Sequence, residues 1–377
     1  MNPHAFPVPL PRGSLMVDVA GLALTDEERE RLCDPRIGGV ILFARNYADS
    51  AQLRALTSEI RALRMPALII AVDHEGGRVQ RFRTDGFTRL PAMRTLGGLW
   101  ARDEAEALAA AHATGFVLAA ELAVHGVDLS FTPVLDLDYG ISRAIGNRAF
   151  HRDPAVVAAL ALSLVTGMAE VGMGAVGKHF PGHGYVEADS HHDIPVDERE
   201  FDLLWDEDMA PYRHELLQRL AGVMPAHVIY PHAEPRQAGP AGFSSFWLKE
   251  VLREQFGFEG IIFSDDLNMA GALVAGDVVE RVAAAARAGC DMWLVCNRPD
   301  LVTELLARGT PETDHFTRAR LATLTMPAPH PWLADPLALA QHPPYIQARE
   351  KVLAALATES ADHSVMAAAT IGATRPG

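Results

Sequence analysis

Three short stretches hold the residue types that transfer protons and attack electrophilic carbon. Lys178-His179-Phe180-Pro181-Gly182-His183-Gly184 is followed within a few residues by Asp189-Ser190-His191-His192-Asp193. A cation, imidazoles and carboxylates thus lie at and just beyond a short apolar run, Gly174 to Phe180, whose Pro and Gly neighbours mark a strand end. These three chemistries converging at a strand end make a candidate active site. Phe263-Ser264-Asp265-Asp266-Leu267 closes a second apolar run that begins at Gly260. Strand ends so far apart in sequence serve one site only if the fold brings them together.

The elements that would do so are written as an alternation. Runs rich in Val, Ile, Leu and Phe predict strands at Leu15–Val19, Gly39–Phe43, Ala67–Val72, Leu129–Leu135, Gly174–Phe180, Gly222–Ile229, Gly260–Phe263 and Met292–Cys296. Helical periodicity falls between them, at Ser50–Leu63, Glu104–His125, Pro154–Val171, Asp206–Leu220, Ser245–Phe256 and Val278–Ala288. Continuous apolar strands alternating with helices mean a parallel sheet covered on both faces. The expected fold is α/β, a single (β/α)8 TIM-like barrel over residues 12–310, after an extension at 1–11. Residues 311–377 are expected as a C-terminal extension with a helix at Ile346–Ala357 and no structure from 361 onward. Arg45, Asn46, Asp73, Asp136, Lys178, His179, His227, Asp265 and Asn297 all fall at or just past carboxyl ends of these strands. In a barrel those ends share one face, which carries the site. Any single Asp or Asn there could be capping the next helix. The recurrence of Lys, Arg and His at the same ends is not explained by caps.

Composition narrows the partners. Of 377 residues, 49% are hydrophobic and 21% charged, as in a soluble globular chain with a large core. The formal charge of −15, from 48 acidic against 33 basic residues, repels phosphodiester backbones, so nucleic acid is not an expected partner. Cys33, Cys290 and Cys296 show neither zinc spacing nor a paired framework, and are read as free thiols of a reducing compartment. Met1 to Ser14 lacks the apolar core of a secretion signal, and no run of about 20 apolar residues is evident, so a cytoplasmic, membrane-free location is expected. Gly172-Met173-Gly174-Ala175-Val176-Gly177 matches a dinucleotide pattern, but it follows a helix and opens a strand, the reverse of phosphate binding. The His179, His183, Asp189, His191, His192 and Asp193 cluster could bind zinc, but lacks HExxH spacing and has Lys178 beside it. No metal or cofactor is therefore expected.

Four motifs carry a resemblance. Ala71-Val72-Asp73-His74-Glu75-Gly76-Gly77-Arg78-Val79-Gln80-Arg81, the Lys178 to Gly184 run, Asp189-Ser190-His191 and Phe263 to Leu267 resemble glycoside hydrolase family 3. Within it, the chain is similar to the single-domain bacterial β-N-acetylglucosaminidases of cytoplasmic peptidoglycan recycling. The similarity runs from about Leu15 to about Asn297. The resemblance implies removal of terminal, non-reducing N-acetylglucosamine from β-1,4-linked muropeptides, with the small carbohydrate as the expected partner. It implies Asp265 as nucleophile, His191 as acid and base, and Asp189 as partner of His191. Asp73, Arg81, Arg148, Lys178 and His179 match sugar-binding positions by the same resemblance, although either Arg could instead serve a structural ion pair.

The residues make this chemistry intelligible. A retaining glycosidase needs a nucleophile for the anomeric carbon and an acid that later acts as base on water. A carboxylate on one ring nitrogen of His191 would fix its tautomer, leaving the other nitrogen to exchange a proton near neutral pH. Neighbouring strand residues point to opposite sides, so Asp265 and Asp266 cannot both face the site. Asp266 is expected to hold backbone amides in the following turn. His227 either lines the site or is a hydrogen-bonded core imidazole. His74 stands where many relatives have glutamine, which leaves its contacts open. A phosphorylase on the same scaffold and a non-catalytic sugar-binding protein are the alternative functions.

Overall fold

The computed structural model describes residues 8–9, 12–187, 194–213, 215–236, 239–324 and 330–372, side chains at 8–9 and 359–372 excepted. Eight parallel strands form its centre: β1 Leu15–Asp18, β2 Ile37–Leu42, β3 Ile69–Val72, β4 Leu129–Ser130, β5 Gly174–Phe180, β6 Leu220–Pro225, β7 Ile261–Ile262 and β8 Trp293–Val295. They pair in chain order from β1 to β7, with β8 beside β1. A parallel bridge between Phe263 and Met292 joins the ends of β7 and β8, so the curled sheet closes as a TIM-like barrel.

Each strand splits its side chains between two cores, because successive residues point to opposite faces. One set fills the barrel: Met16, Ile41, Ile69, Ala71, Leu129, Phe131, Val176, Met224, Ile261, Phe263, Leu294 and Cys296. Leu321 and Leu324 join this cluster from the chain beyond the last strand. The helix that carries Leu321, His315–Thr323, is fastened by Thr317 and Arg320, each 2.9 Å from Asp291 Oδ1. The opposite strand face, with Val17, Val40, Ile70, Val72, Val223 and Ile262, packs on the surrounding helices.

Among those helices, α1 Ser50–Ala62, α2 Glu104–Val124, α3 Pro154–Glu170 and α4 Val278–Ala288 lie within a residue of their expected ends. Asp49, Asp103, Asp153 and Asp277 cap them by accepting backbone amides of the first turn. α2 and α3 approach so closely that a Cβ on Gly115 would stand 1.9 Å from the Leu164 carbonyl oxygen. By length and composition α2 could cross a membrane, contrary to the expectation of no such run, yet 78% of its apolar window is buried inside the protein.

Other departures have local causes. The fourth strand was expected to reach Leu135, but Pro133 has no amide hydrogen and the regular strand stops at Ser130. The chain then rejoins β5 through a bridge from Val134 to Lys178. The helix expected over Asp206–Leu220 is broken into Phe201–Asp206, a 3-10 turn Ala210–Tyr212 and Glu215–Arg219, with Pro211 in the break. The one expected at Ser245–Phe256 is a π-helix, Phe246–Gln255. The Gly172 to Gly177 run ends α3 with Gly172 at φ 85° and continues into β5, as a helix stop and strand. The closing helix, α5 Pro343–Gly372, is longer than expected and enters the stretch expected to lack structure.

Candidate active site

Strand parity aims the polar residues. Ile261 and Phe263 point into the barrel, so Asp265, two residues on, continues the same side. Ile69 and Ala71 place Asp73 in the same way, and the short hairpin His74–Gly76 with Val79–Gln80 extends that parity to Glu75. On β5, Val176 and Lys178 are the inward pair. Met224 pairs with Lys178 but Pro225 pairs with Phe180, so β5 carries one extra residue, His179, opposite β6. That bulge leaves His179 out of the ladder and lets consecutive residues reach one cavity.

The cavity, about 310 Å³, is lined by Asp73, Glu75, Arg78, Arg81, Arg148, Lys178, His179, His183, Asp265, Asp266, Met269 and Asn297 on a floor that includes Phe131, Met224 and Leu294. Its volume and mixed lining suit a small polar ligand. At its centre Lys178 Nζ lies 2.9 Å from Asp73 Oδ1 and 2.6 Å from Glu75 Oε1. Arg148 grips Glu75 with both edges, Nε to Oε2 and Nη2 to Oε1, each at 2.8 Å. Arg81 Nη2 stands 3.4 Å from Asp73 Oδ2. Burial favours the neutral form of each, but the opposite charges prevail. Lys178 and Arg148 hold their protons more tightly than usual, and Asp73 and Glu75 sit below the ordinary carboxylate range.

A second group orders the imidazoles. Asp136 Oδ2 is 2.7 Å from His179 Nδ1, and Asp136 Oδ1 accepts the His183 amide at 2.7 Å. Despite burial, the His179 and His183 partners keep the Asp136 carboxyl below its usual range. Burial, with His179 nearby, draws His183 down to about 4, so its ring is neutral at physiological pH. Gly184 in this loop lies against the chain at Leu137, where a Cβ would come within 1.9 Å of the carbonyl oxygen.

Asp266 lines the cavity beside Asp265, against the expectation that only one of the two would face it, because the strand ends at Ile262 and its strict alternation does not extend to this pair. As expected, its Oδ1 accepts the amides of Asn268 at 3.0 Å and Cys296 at 3.1 Å. Burial, against those amides, lifts its carboxyl to about 7. His227 is buried outside the cavity lining, its Nε2 3.2 Å from the Asp266 carbonyl oxygen and its ring stacked on Phe243. His74 is also buried away from the cavity, with its ring 5.7 Å from Phe82 and 5.6 Å from Phe87. Burial takes it down to about 3, so it serves as a neutral aromatic filler. Arg45 and Asn46 are structural: Arg45 joins Asp18 and Asn297, and Asn46 bonds the Val19 and Gly21 carbonyls. Asp189 and His191 lie outside the described residues.

Sequence reasoning overlooked Glu75, the shared partner of Arg148 and Lys178. Its signal was present, since Asp73 and Glu75 are two apart on an extended segment and share a face.

The glycosyl hydrolase family 3 N terminal domain matches residues 13–322. This chain belongs to that family. It is 66% identical to the β-hexosaminidase of Aromatoleum aromaticum, over 93% of this chain and 97% of that protein. The β-hexosaminidase of Bordetella avium is 63% identical, over 82% of this chain and 87% of that protein. Among solved structures, native NagZ from Neisseria gonorrhoeae superposes with a TM-score of 0.86 at 50% identity, covering 92% of this chain and 99% of that one. The family 3 β-N-acetylglucosaminidase of Paenibacillus sp. gives a TM-score of 0.77 at 30% identity, covering 90% of this chain and 66% of that one. The family 3 chain described here is accordingly a glycoside hydrolase of the β-N-acetylhexosaminidase class.

Proposed function

We propose that this family 3 enzyme is a retaining β-N-acetylglucosaminidase that removes terminal, non-reducing N-acetylglucosamine from β-1,4-linked muropeptides during cytoplasmic peptidoglycan recycling. The observation that carries this is the sharing of one cavity by Asp265 with Asp73, Arg81, Arg148, Lys178 and His179. A solved relative, NagZ from Neisseria gonorrhoeae in complex with N-trifluoroacetyl-D-glucosamine, supports an N-acylated sugar as the occupant.

In this reading Asp265 attacks the anomeric carbon and forms a glycosyl ester, while His191 protonates the departing oxygen. His191, oriented by Asp189, then takes a proton from the water that breaks the ester, restoring the β configuration. Asp73 accepts sugar hydroxyls, and Arg81, Lys178 and His179 donate to sugar oxygens. Arg148 acts mainly through Glu75, which fixes Lys178 beside Asp73. The barrel is assigned residues 12–310, between extensions at 1–11 and 311–377.

The test is product analysis with a GlcNAc-anhydro-MurNAc muropeptide, with and without inorganic phosphate. Free N-acetylglucosamine in both arms is expected. Sugar 1-phosphate accumulating in the phosphate arm would identify a phosphorylase, and absence of sugar release in both would identify a binding protein.

A further inference from the structure

The segment beyond the barrel reaches the hairpin beside the cavity through a run of polar contacts that is buried from Tyr345 to Gln80. Tyr345, on α5, donates its hydroxyl to Glu121 Oε1 at 2.7 Å, and Glu121 sits fully buried on α2. Thr88 donates to the same carboxylate twice, from its hydroxyl to Oε1 at 2.6 Å and from its amide to Oε2 at 2.8 Å. Arg349, one turn after Tyr345, donates from Nε to the Thr88 hydroxyl at 3.1 Å. The Thr88 carbonyl accepts from Gln80 Nε2 at 2.8 Å, and Gln80 Oε1 accepts the Leu90 amide at 2.9 Å. Gln80 pairs with His74 in the hairpin, and His74 lies between Asp73 and Glu75.

None of Tyr345, Glu121, Thr88 or Arg349 lines the cavity. Their arrangement is also an expensive way to fill space, since apolar groups of the same volume avoid the desolvation of a carboxylate. Burial lifts the Glu121 carboxyl to about 7 against the opposing bonds of Thr88 and Tyr345. What three converging donors supply is direction: they fix the carboxylate, Thr88 and, through Thr88, the side chain of Gln80, the last hairpin residue, which ties the hairpin to the following segment at Phe82, Thr88 and Leu90.

We propose that Tyr345 and Glu121 are positioning residues for sugar binding, through which the closing helix sets the hairpin and so the aim of Asp73, Glu75 and Arg81 into the cavity. The proposal rests on the reading of this cavity as the sugar site.

Tyr345→Phe removes only the hydroxyl. For an aryl β-N-acetylglucosaminide, KM is expected to rise about threefold to tenfold while kcat stays within about twofold, as for loss of an interaction common to ground and transition states. Glu121→Gln should change KM in the same direction, because it replaces one acceptor oxygen by a donor. Val352→Ala, on the same helix and fully buried, is the control: it should lower the unfolding midpoint and leave KM alone. Parental KM in Tyr345→Phe overturns the proposal, as does a KM rise of equal size in Val352→Ala. Asp73→Asn, measured in parallel, tests the underlying reading. If Asp73→Asn keeps parental KM while Tyr345→Phe raises it, the positioning role stands and only the sugar contact of Asp73 falls.

Discussion

Replacing Glu75 by Gln removes a negative charge where two cations share it. Glu75 Oε1 takes Lys178 Nζ at 2.6 Å and Arg148 Nη2 at 2.8 Å, and its Oε2 takes Arg148 Nε at 2.8 Å. The Glu75 and Lys178 side chains are 2% and 3% exposed, so water cannot replace the lost partner. Glutamine keeps the shape but turns an amide NH2 toward a cation. Removing one member of a buried ion pair costs about 3–5 kcal/mol. Unfolding entropy of about 2.1 cal/mol/K per residue gives roughly 0.8 kcal/mol/K for 377 residues, so Tm should fall by about 4–6 °C. The pH dependence has a definite sign. Burial opposes ionisation of Glu75, but Arg148 and Lys178 outweigh it and its carboxyl lies below the ordinary value of 4.5. Its contribution is therefore complete above about 4.5 and is lost as pH falls further. Calorimetry at pH 7 and in an acid series checks both points, with Glu187→Gln as reference, because the Glu187 and Arg143 side chains are 72% and 77% exposed. That surface change should stay within about 0.5 kcal/mol. Glu75→Gln no more destabilising than Glu187→Gln at pH 7, or a deficit that widens on acidification, would refute the reasoning.

Asp266→Asn should act in the opposite direction. Burial raises the Asp266 carboxyl from 3.8 to about 7, so the stability this group contributes is present below about 3.8 and lost as pH rises toward 7. An amide oxygen can still accept the Asn268 and Cys296 amides, so the variant should exceed the parent above pH 7 by up to roughly 4 kcal/mol and match it near pH 4. Urea unfolding at both values measures this, and a variant less stable at pH 8 contradicts it. His191→Ala should slow disaccharides, whose leaving groups are poor, by about 10²- to 10⁴-fold and aryl glycosides with acidic phenols far less. Equal loss on both substrates in steady-state assays would reassign His191 to substrate positioning.

The barrel was legible because its strands are buried on both faces and read as continuous apolar runs. Ile69 to Val72 and Gly174 to Phe180 could be placed closely for that reason. Boundaries failed where backbone chemistry interrupts the pattern, at Pro133 in the fourth strand and Pro211 in the broken helix. Asp73, Lys178 and Asp265 were legible as polar residues ending apolar runs, and the cavity brings them together. The ion-pair role of Glu75 was not, because it depends on Arg148, 73 positions away in sequence, although its spacing from Asp73 already put it on the same face. Nor was the Tyr345 to Glu121 contact, which spans 224 positions and leaves no local periodicity. His227 shows the converse: a His just past a strand end that lies buried outside the cavity lining.

The most direct test of the central claim is to trap the glycosyl-enzyme with a slow-reacting N-acetylglucosaminide and locate the adduct by peptide mass spectrometry. One N-acetylglucosaminyl group on Asp265, with the β-anomer as the first-formed product by NMR, is the predicted result. An adduct on Asp266, or α-anomer released first with no adduct on any peptide, would contradict it.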